Sequence, residues 1–209
     1  MLTERIGKPL VVGITGGVGA GKSSVLAILK EKSDCRILIA DDIAKNMLNP
    51  GGACYNETVS LLSREVLDGD GSINRAKMAE FIYRDPSLRK KVNDIIHPAV
   101  NDYIAGVITD ERKKGRYDLL FIEAALLIEC GYDRICDELW YIYASEDVRR
   151  KRLKESRNYS DEKIDGIYKA QLSEAGFREH CDEIIDNNGD EAALEDNIVK
   201  ILKQKEKYF

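Results

Sequence analysis

Eight residues near the amino terminus, Gly16-Gly17-Val18-Gly19-Ala20-Gly21-Lys22-Ser23, complete the pattern G-x-x-x-x-G-K-[ST]. An apolar stretch of strand character, Leu10-Val11-Val12-Gly13-Ile14, precedes them, and a helical pattern from Ser24 to Lys32 follows. A strand, a glycine-rich turn and a helix in this order build a phosphate cradle. The glycines let backbone N–H groups turn inward, and the helix N-terminus adds partial positive charge. Gly17, Val18, Gly19, Ala20, Gly21, Lys22, Ser23 and Ser24 are therefore the candidate nucleotide-binding residues. Lys22 would reach the β- and γ-phosphates, and the Ser23 hydroxyl would ligate Mg²⁺. The plain alternative is a glycine-rich turn without a ligand, but a chance match seldom carries both the lysine and the strand–helix frame. The segment reads as a nucleoside-triphosphate site.

Short apolar runs recur along the 209-residue chain: Arg36–Ala40, Leu119–Ile122, Glu138–Ala144 and Glu183–Asp186. Helix-like stretches separate most of them. That alternation predicts an α/β fold, a parallel sheet of about five strands flanked by helices. No strand is evident from Asp42 to Asp118, a segment punctuated by Asn49-Pro50-Gly51-Gly52, Asp68-Gly69-Asp70-Gly71, Asp85-Pro86 and His97-Pro98. It reads as a helical insertion of Tyr55–Leu62, Arg75–Tyr83, Ser87–Ile96 and Ala99–Lys114, with both prolines marking helix boundaries. The expected organisation is a single domain, with a core of about 1–41 and 119–209, an insertion at 42–118 and a lid at about 149–160. A last amphipathic helix, about Glu191 to Lys205, packs on the sheet.

Composition narrows the function. The 32 Lys+Arg against 37 Asp+Glu leave a formal net charge of −5, which argues against nucleic acid as partner. It leaves room for a small polyanion, whose site needs only local positive charge. No run approaches ~18 consecutive apolar residues, so no membrane span is expected. The first residues lack a secretion signal. Five cysteines without a C-x-x-C pair, and two histidines, offer little to a zinc site and suggest a reducing cytoplasm. Nothing in the sequence indicates an oligomeric state.

The guanine-reading pattern Asn-Lys-x-Asp does not occur, and the chain is short for a motor or transporter ATPase. A small phosphotransferase is favoured. Asp41 and Asp42 follow an apolar run at the expected carboxyl end of a strand, where ligands sit in open α/β sheets. A carboxylate there could take a proton from an attacking hydroxyl or help hold Mg²⁺, or it could cap the helix starting near Ile43. Arg149, Arg150, Lys151, Arg152, Lys154 and Arg157 place six cations within nine residues. They form either a solvated helix face or a lid that closes over a phosphoryl group, with Arg149 and Arg152 sharing a face. Ser160 is positioned to cap the next helix. Glu123 could organise the waters of a Mg²⁺ ion or serve as a structural carboxylate. His97 reads as a helix-end residue, Gln171 as helix surface, and Asn187-Asn188-Gly189 as a turn.

The ordered set of segments resembles the dephospho-coenzyme A kinase family of the P-loop nucleotide kinases. It comprises Gly13–Val25, Ala40–Lys45, Asn49-Pro50-Gly51, Gly71–Arg75, Ile96-His97-Pro98, Ala125–Glu129, Arg152–Gln171 and Ile185–Gly189. The resemblance spans nearly the whole chain. It implies ATP and Mg²⁺ as cofactors, dephospho-coenzyme A as the acceptor, and transfer to the ribose 3′-hydroxyl. It also implies Asp41 as general base, with Lys22 and Arg152 catalytic, and Arg157 and Asn188 as further nucleotide contacts. The family's Asp-Ala-Asp, followed four residues later by Arg, reads here Ile39-Ala40-Asp41 and then Lys45. The lysine lacks the planar bidentate fork of the arginine it replaces.

Overall fold

The computed structural model describes residues 9–124 and 126–206. The first strand, β1 (Leu10–Thr15), is buried at all six positions, as a strand covered on both faces must be. It leads through the phosphate loop into α1 (Lys22–Lys32), then β2 (Cys35–Ile39), α2 (Ala40–Met47), α3 (Tyr55–Leu62), α4 (Arg75–Arg84) and α5 (Pro86–Lys114). The chain returns through β3 (Leu119–Glu123), β4 (Glu138–Tyr143), α6 (Glu146–Arg157), α7 (Asp161–Lys169), α8 (Glu174–His180), β5 (Glu183–Asp186) and α9 (Glu191–Lys205). The five strands lie in the order β2-β3-β1-β4-β5. β1 runs parallel to both β3 and β4, and β4 parallel to β5. β1 is therefore central, and its carboxyl end opens where the order of connection reverses, the usual ligand position in such sheets.

The described residues divide into two compact units, one formed by those up to Leu38 together with those from Ile108 onward, the other by Ile39–Val107. In the sheet unit, α1 buries Val25, Leu26, Ile28 and Leu29, and α9 buries Leu194, Ile198 and Ile201. Helix α9 also buries Lys205, whose ammonium donates to Glu138 and Glu183. Burial pulls its pKa down, but the two carboxylates outweigh that and the net shift is upward from 10.5. Phe121 and Trp140 meet edge to face with centroids 5.5 Å apart, a favoured aromatic geometry. Glu111, near the end of α5, is fully buried and accepts from Arg36 and Arg116, while the nearby Arg112 reaches Asp137 at 2.9 Å. These ties attach the last turns of α5 to the sheet unit. No helix among the described residues is long and apolar enough to cross a membrane.

The helical unit gathers around Cys54, Thr58, Leu62, Val66, Val92, Ile96, Val100 and Ile104. Asn74 caps α4 by accepting from the Lys77 N–H at 3.0 Å. Two details depart from expectation. The segment Leu67–Ile73 closes an antiparallel bridge around Asp68-Gly69-Asp70-Gly71, so the insertion is not purely helical. The pair His97-Pro98 is not a boundary, because α5 runs through it as one helix of 29 residues. Pro98 removes one backbone hydrogen bond, yet Val92, Ile96, Val100 and Ile104 recur every four residues on both sides of it. Burying that unbroken stripe outweighs the lost bond. Pro86 does open a helix, at the first position, where its missing N–H costs nothing.

Candidate active site

The phosphate loop spans Gly16 to Gly21. The Ala20 N–H closes its turn by donating to the Gly17 carbonyl at 3.0 Å. Gly21 then caps α1 from the left-handed region, with φ 92°. A side chain there would be strained and would collide with the Asn187 amide. The first turn of α1 holds no acidic residue, and the N–H groups of Lys22 and Ser23 have no carbonyl within their own helix to bond. Both facts keep this end of the helix available to an anion. The Lys22 ammonium crosses the loop, 2.9 Å from the Gly16 carbonyl and 3.6 Å from the Glu123 carboxylate. Ser23 and Ser24 present exposed hydroxyls.

Residues from the far end of the sequence brace this loop. The Asn187 side chain, only 5% exposed, donates to the Ala20 carbonyl at 2.7 Å. Arg152 on α6 donates to the same carbonyl at 3.4 Å and to the Asn187 carbonyl at 2.9 Å. Gln171 is not helix surface as expected. It sits beyond the end of α7, and its side-chain oxygen accepts from the Val18 N–H at 3.1 Å. Asn188, in the turn between β5 and α9, accepts from the Ser145 N–H at 2.7 Å and donates to Asp186, which ties that turn to the start of α6. Arg157 lies exposed in the last turn of α6, its guanidinium 6.0 Å from the Tyr159 ring. Ser160 caps α7 as expected, accepting from the Lys163 N–H at 3.4 Å.

In the helical unit, α2 already begins at Ala40, with Ile39 in the capping position and no side-chain cap. Asp42 is thus not the cap that the sequence allowed for. Asp41 and Asp42 both lie in the first turn, exposed, where a carboxylate meets the positive end of the helix. The Lys45 ammonium pairs with Asp42 at 2.6 Å and leaves Asp41 out of that ion pair.

A sequence model of the family described as Dephospho-CoA kinase (CoaE) matches residues 10–193. The chain belongs to the dephospho-CoA kinase family. A curated dephospho-CoA kinase of Oceanobacillus iheyensis is 31% identical over 179 residues, covering 86% of this chain and 89% of that one. One from Staphylococcus aureus is 30% identical over 197 residues, covering 94% of each. Among solved structures, TT1252 from Thermus thermophilus superposes with a TM-score of 0.77 at 26% identity, over 94% of this chain and 97% of that one.

Within a dephospho-CoA kinase frame, sequence reasoning found the loop and missed its braces. Asn187 hid inside a turn signature, and Gln171 stood in an apparently exposed helical stretch. Their partners, Ala20 and Val18, lie 167 and 153 residues away. The signals available were slight: an amide directly after an apolar strand, and an amide just past a helix end.

Proposed function

We infer that this chain transfers the γ-phosphoryl group of ATP to the ribose 3′-hydroxyl of dephospho-coenzyme A, the last step of coenzyme A biosynthesis. The observation that carries the reading is the Lys22 ammonium, held between the Gly16 carbonyl and Glu123 across a complete phosphate loop, in a chain of this family. In this reading the N–H groups of Gly19, Gly21, Lys22 and Ser23 hold the phosphates, while that of Ser24 donates to the Gly21 carbonyl. Lys22 neutralises the β- and γ-oxygens. Arg152, fastened to two carbonyls of the loop region, adds positive charge against the cradle. Asp41 takes the proton of the ribose hydroxyl. The helical unit Ile39–Val107 binds the acceptor, and α6 with α7 forms the lid.

The residues fit a Mg²⁺ ion carried in on ATP. The Ser23 hydroxyl on α1 and the Glu123 carboxylate at the end of β3, the strand beside β1, are hard oxygen donors, and no cluster of three or more His, Cys, Asp or Glu among the described residues forms an all-protein cage. When bound, Mg²⁺ would supply neutralisation of the negative charge on the phosphates. Because the transition state is loose, positioning and charge matter more than the strength of the base. The free cysteines suit a reducing cytoplasm, and burial pushes the Cys136 and Cys181 thiols up to about 12.

A different small acceptor is the second reading, favoured by one observation: Lys45 is engaged by Asp42 where the family pattern has an arginine. One experiment separates these readings. The protein is incubated with ATP, Mg²⁺ and a panel of dephospho-coenzyme A, nucleosides and nucleoside monophosphates, and the products are resolved chromatographically. Coenzyme A as the only product is expected. A phosphorylated nucleoside or nucleotide instead would redirect the assignment, and ATP binding without any product would make the chain a nucleotide-binding regulator.

A further inference from the structure

Three arginines within four residues of α6 are used in three different ways. Arg150 is saturated, paired with Glu146, Asp161 and Asp165. Arg152 spends its donors on the carbonyls of Ala20 and Asn187. Arg149 forms no ion pair with any carboxylate among the described residues, and its Nε is buried without a hydrogen-bond partner. A buried donor without a partner is costly, and more so on a charged group. In a chain with a net charge of −5, a guanidinium left this way invites an anion from outside.

What holds Arg149 is geometry. Its Cζ lies 4.3 Å from the centre of the Tyr168 ring, a cation–π distance. Its guanidinium rests against Gly17 so closely that a methyl group on that glycine would collide with Nη1. Its Cα and carbonyl pack on Gly19. Both ends of the residue are therefore fixed on the phosphate loop. A polar cavity of about 220 Å³ opens beside it, lined by Arg149, Tyr141, Tyr168 and Gln171, and by two carboxylates already paired with other arginines, Glu146 with Arg150 and Glu174 with Arg178. In the ATP reading, the part of the loop it covers is the γ end. Lys22, which serves the β- and γ-phosphates in such loops, places its Nζ 2.9 Å from the carbonyl of Gly16, the neighbour of Gly17.

We propose that Arg149 binds the γ-phosphoryl group of the nucleoside triphosphate, presenting its guanidinium fork from a platform formed by Tyr168 and the backbone of Gly17. The assignment rests on the ATP reading above. It adds a contact made to a triphosphate and not to a diphosphate, and one strengthened as charge spreads over the transferring group. Tyr168 acts as a positioning residue, through its ring and not its hydroxyl.

The test compares the affinities of ATP and ADP, measured calorimetrically with Mg²⁺ for the full chain and for Arg149→Ala. Expected is a preference for ATP in the wild type that shrinks about tenfold in the variant, with ADP affinity and Tm retained. Turnover should fall on the order of a hundredfold. Arg149→Lys, which keeps the charge without the fork, should lie between the two, and Tyr168→Phe should keep the preference. If Arg149→Ala does not fold, Arg149→Lys carries the same comparison. Equal weakening of both nucleotides, or no change in their ratio, overturns the proposal. A raised KM for the acceptor with the ratio unmoved also overturns it and moves the guanidinium to the acceptor side. A wild-type chain that binds neither nucleotide fails the ATP reading itself.

Discussion

The sheet unit and the helical unit bury their residues on different plans. All six residues of β1 are buried, whereas α4 buries none of its ten and α2 buries only Ala40. The phosphate loop springs from the first kind of structure and Asp41 from the second. A loop that must present several N–H groups to one phosphate chain needs a framework that opens only with global unfolding. Helices with little buried surface open at lower free energy. That suits the acceptor-binding role proposed for the helical unit. Phosphate binding and acceptor chemistry are therefore predicted to respond to different perturbations.

The largest effect should come from the loop. Lys22→Ala is expected to reduce turnover on the order of a thousandfold, measured at saturating acceptor, because Lys22 is the one cationic side chain from Gly16 to Ser23. Asp41→Asn should cost on the order of a hundredfold in turnover with ATP affinity unchanged. Near-wild-type turnover in that variant would remove Asp41 as the base and dissolve the division of labour between the two units. For stability, Leu120→Ala, at a fully buried position of β3, should cost about 2–5 kcal/mol. Tyr83→Ser on α4, where the tyrosine is 87% exposed, should cost less than about 0.5 kcal/mol. Denaturant unfolding of the two variants checks the contrast, and similar losses would break it.

The smallest effect concerns acid. Hydrogen bonding to Arg116 first, and to Arg36, outweighs burial and holds the Glu111 carboxyl below its ordinary value of 4.5. The unfolded chain therefore binds a proton that the folded chain refuses. The stabilisation is full above that ordinary value and is lost as pH falls towards the lowered one. Thermal unfolding between pH 6 and pH 3, about that range, should show an acid loss that is shallower in Glu111→Gln. An unchanged acid limb would mean that these arginines do not act through Glu111.

Much of the framework could be read in the residues. Helices α3 and α9 and strand β5 fall where periodicity and turn residues put them, and the other strands lie within one residue at each end. These are local matters: alternation, capping hydroxyls and glycine turns act over a few residues. The failures are local rules overruled from elsewhere. A proline ought to end a helix, but the stripe of Val92, Ile96, Val100 and Ile104 carries α5 past Pro98. An aspartate ought to cap one, but α2 starts at Ala40, so Asp42 lies inside its first turn.

The site divides along the same line. Gly16 to Ser23 announce phosphate binding unaided, because strand, turn and helix N-terminus are all encoded within about one helical turn of the glycines. How that cradle is braced depends on Arg152, Gln171 and Asn187, which meet it across 132 to 167 residues of chain. Which arginine of α6 stays free for an anion is likewise a matter of tertiary contacts. Arg149 and Arg150 are adjacent and chemically identical, and both lie over the Tyr168 ring; only the fold turns one onto three carboxylates and the other onto the phosphate loop. Local pattern specifies which groups can form; which of them meet is settled when the sheet closes.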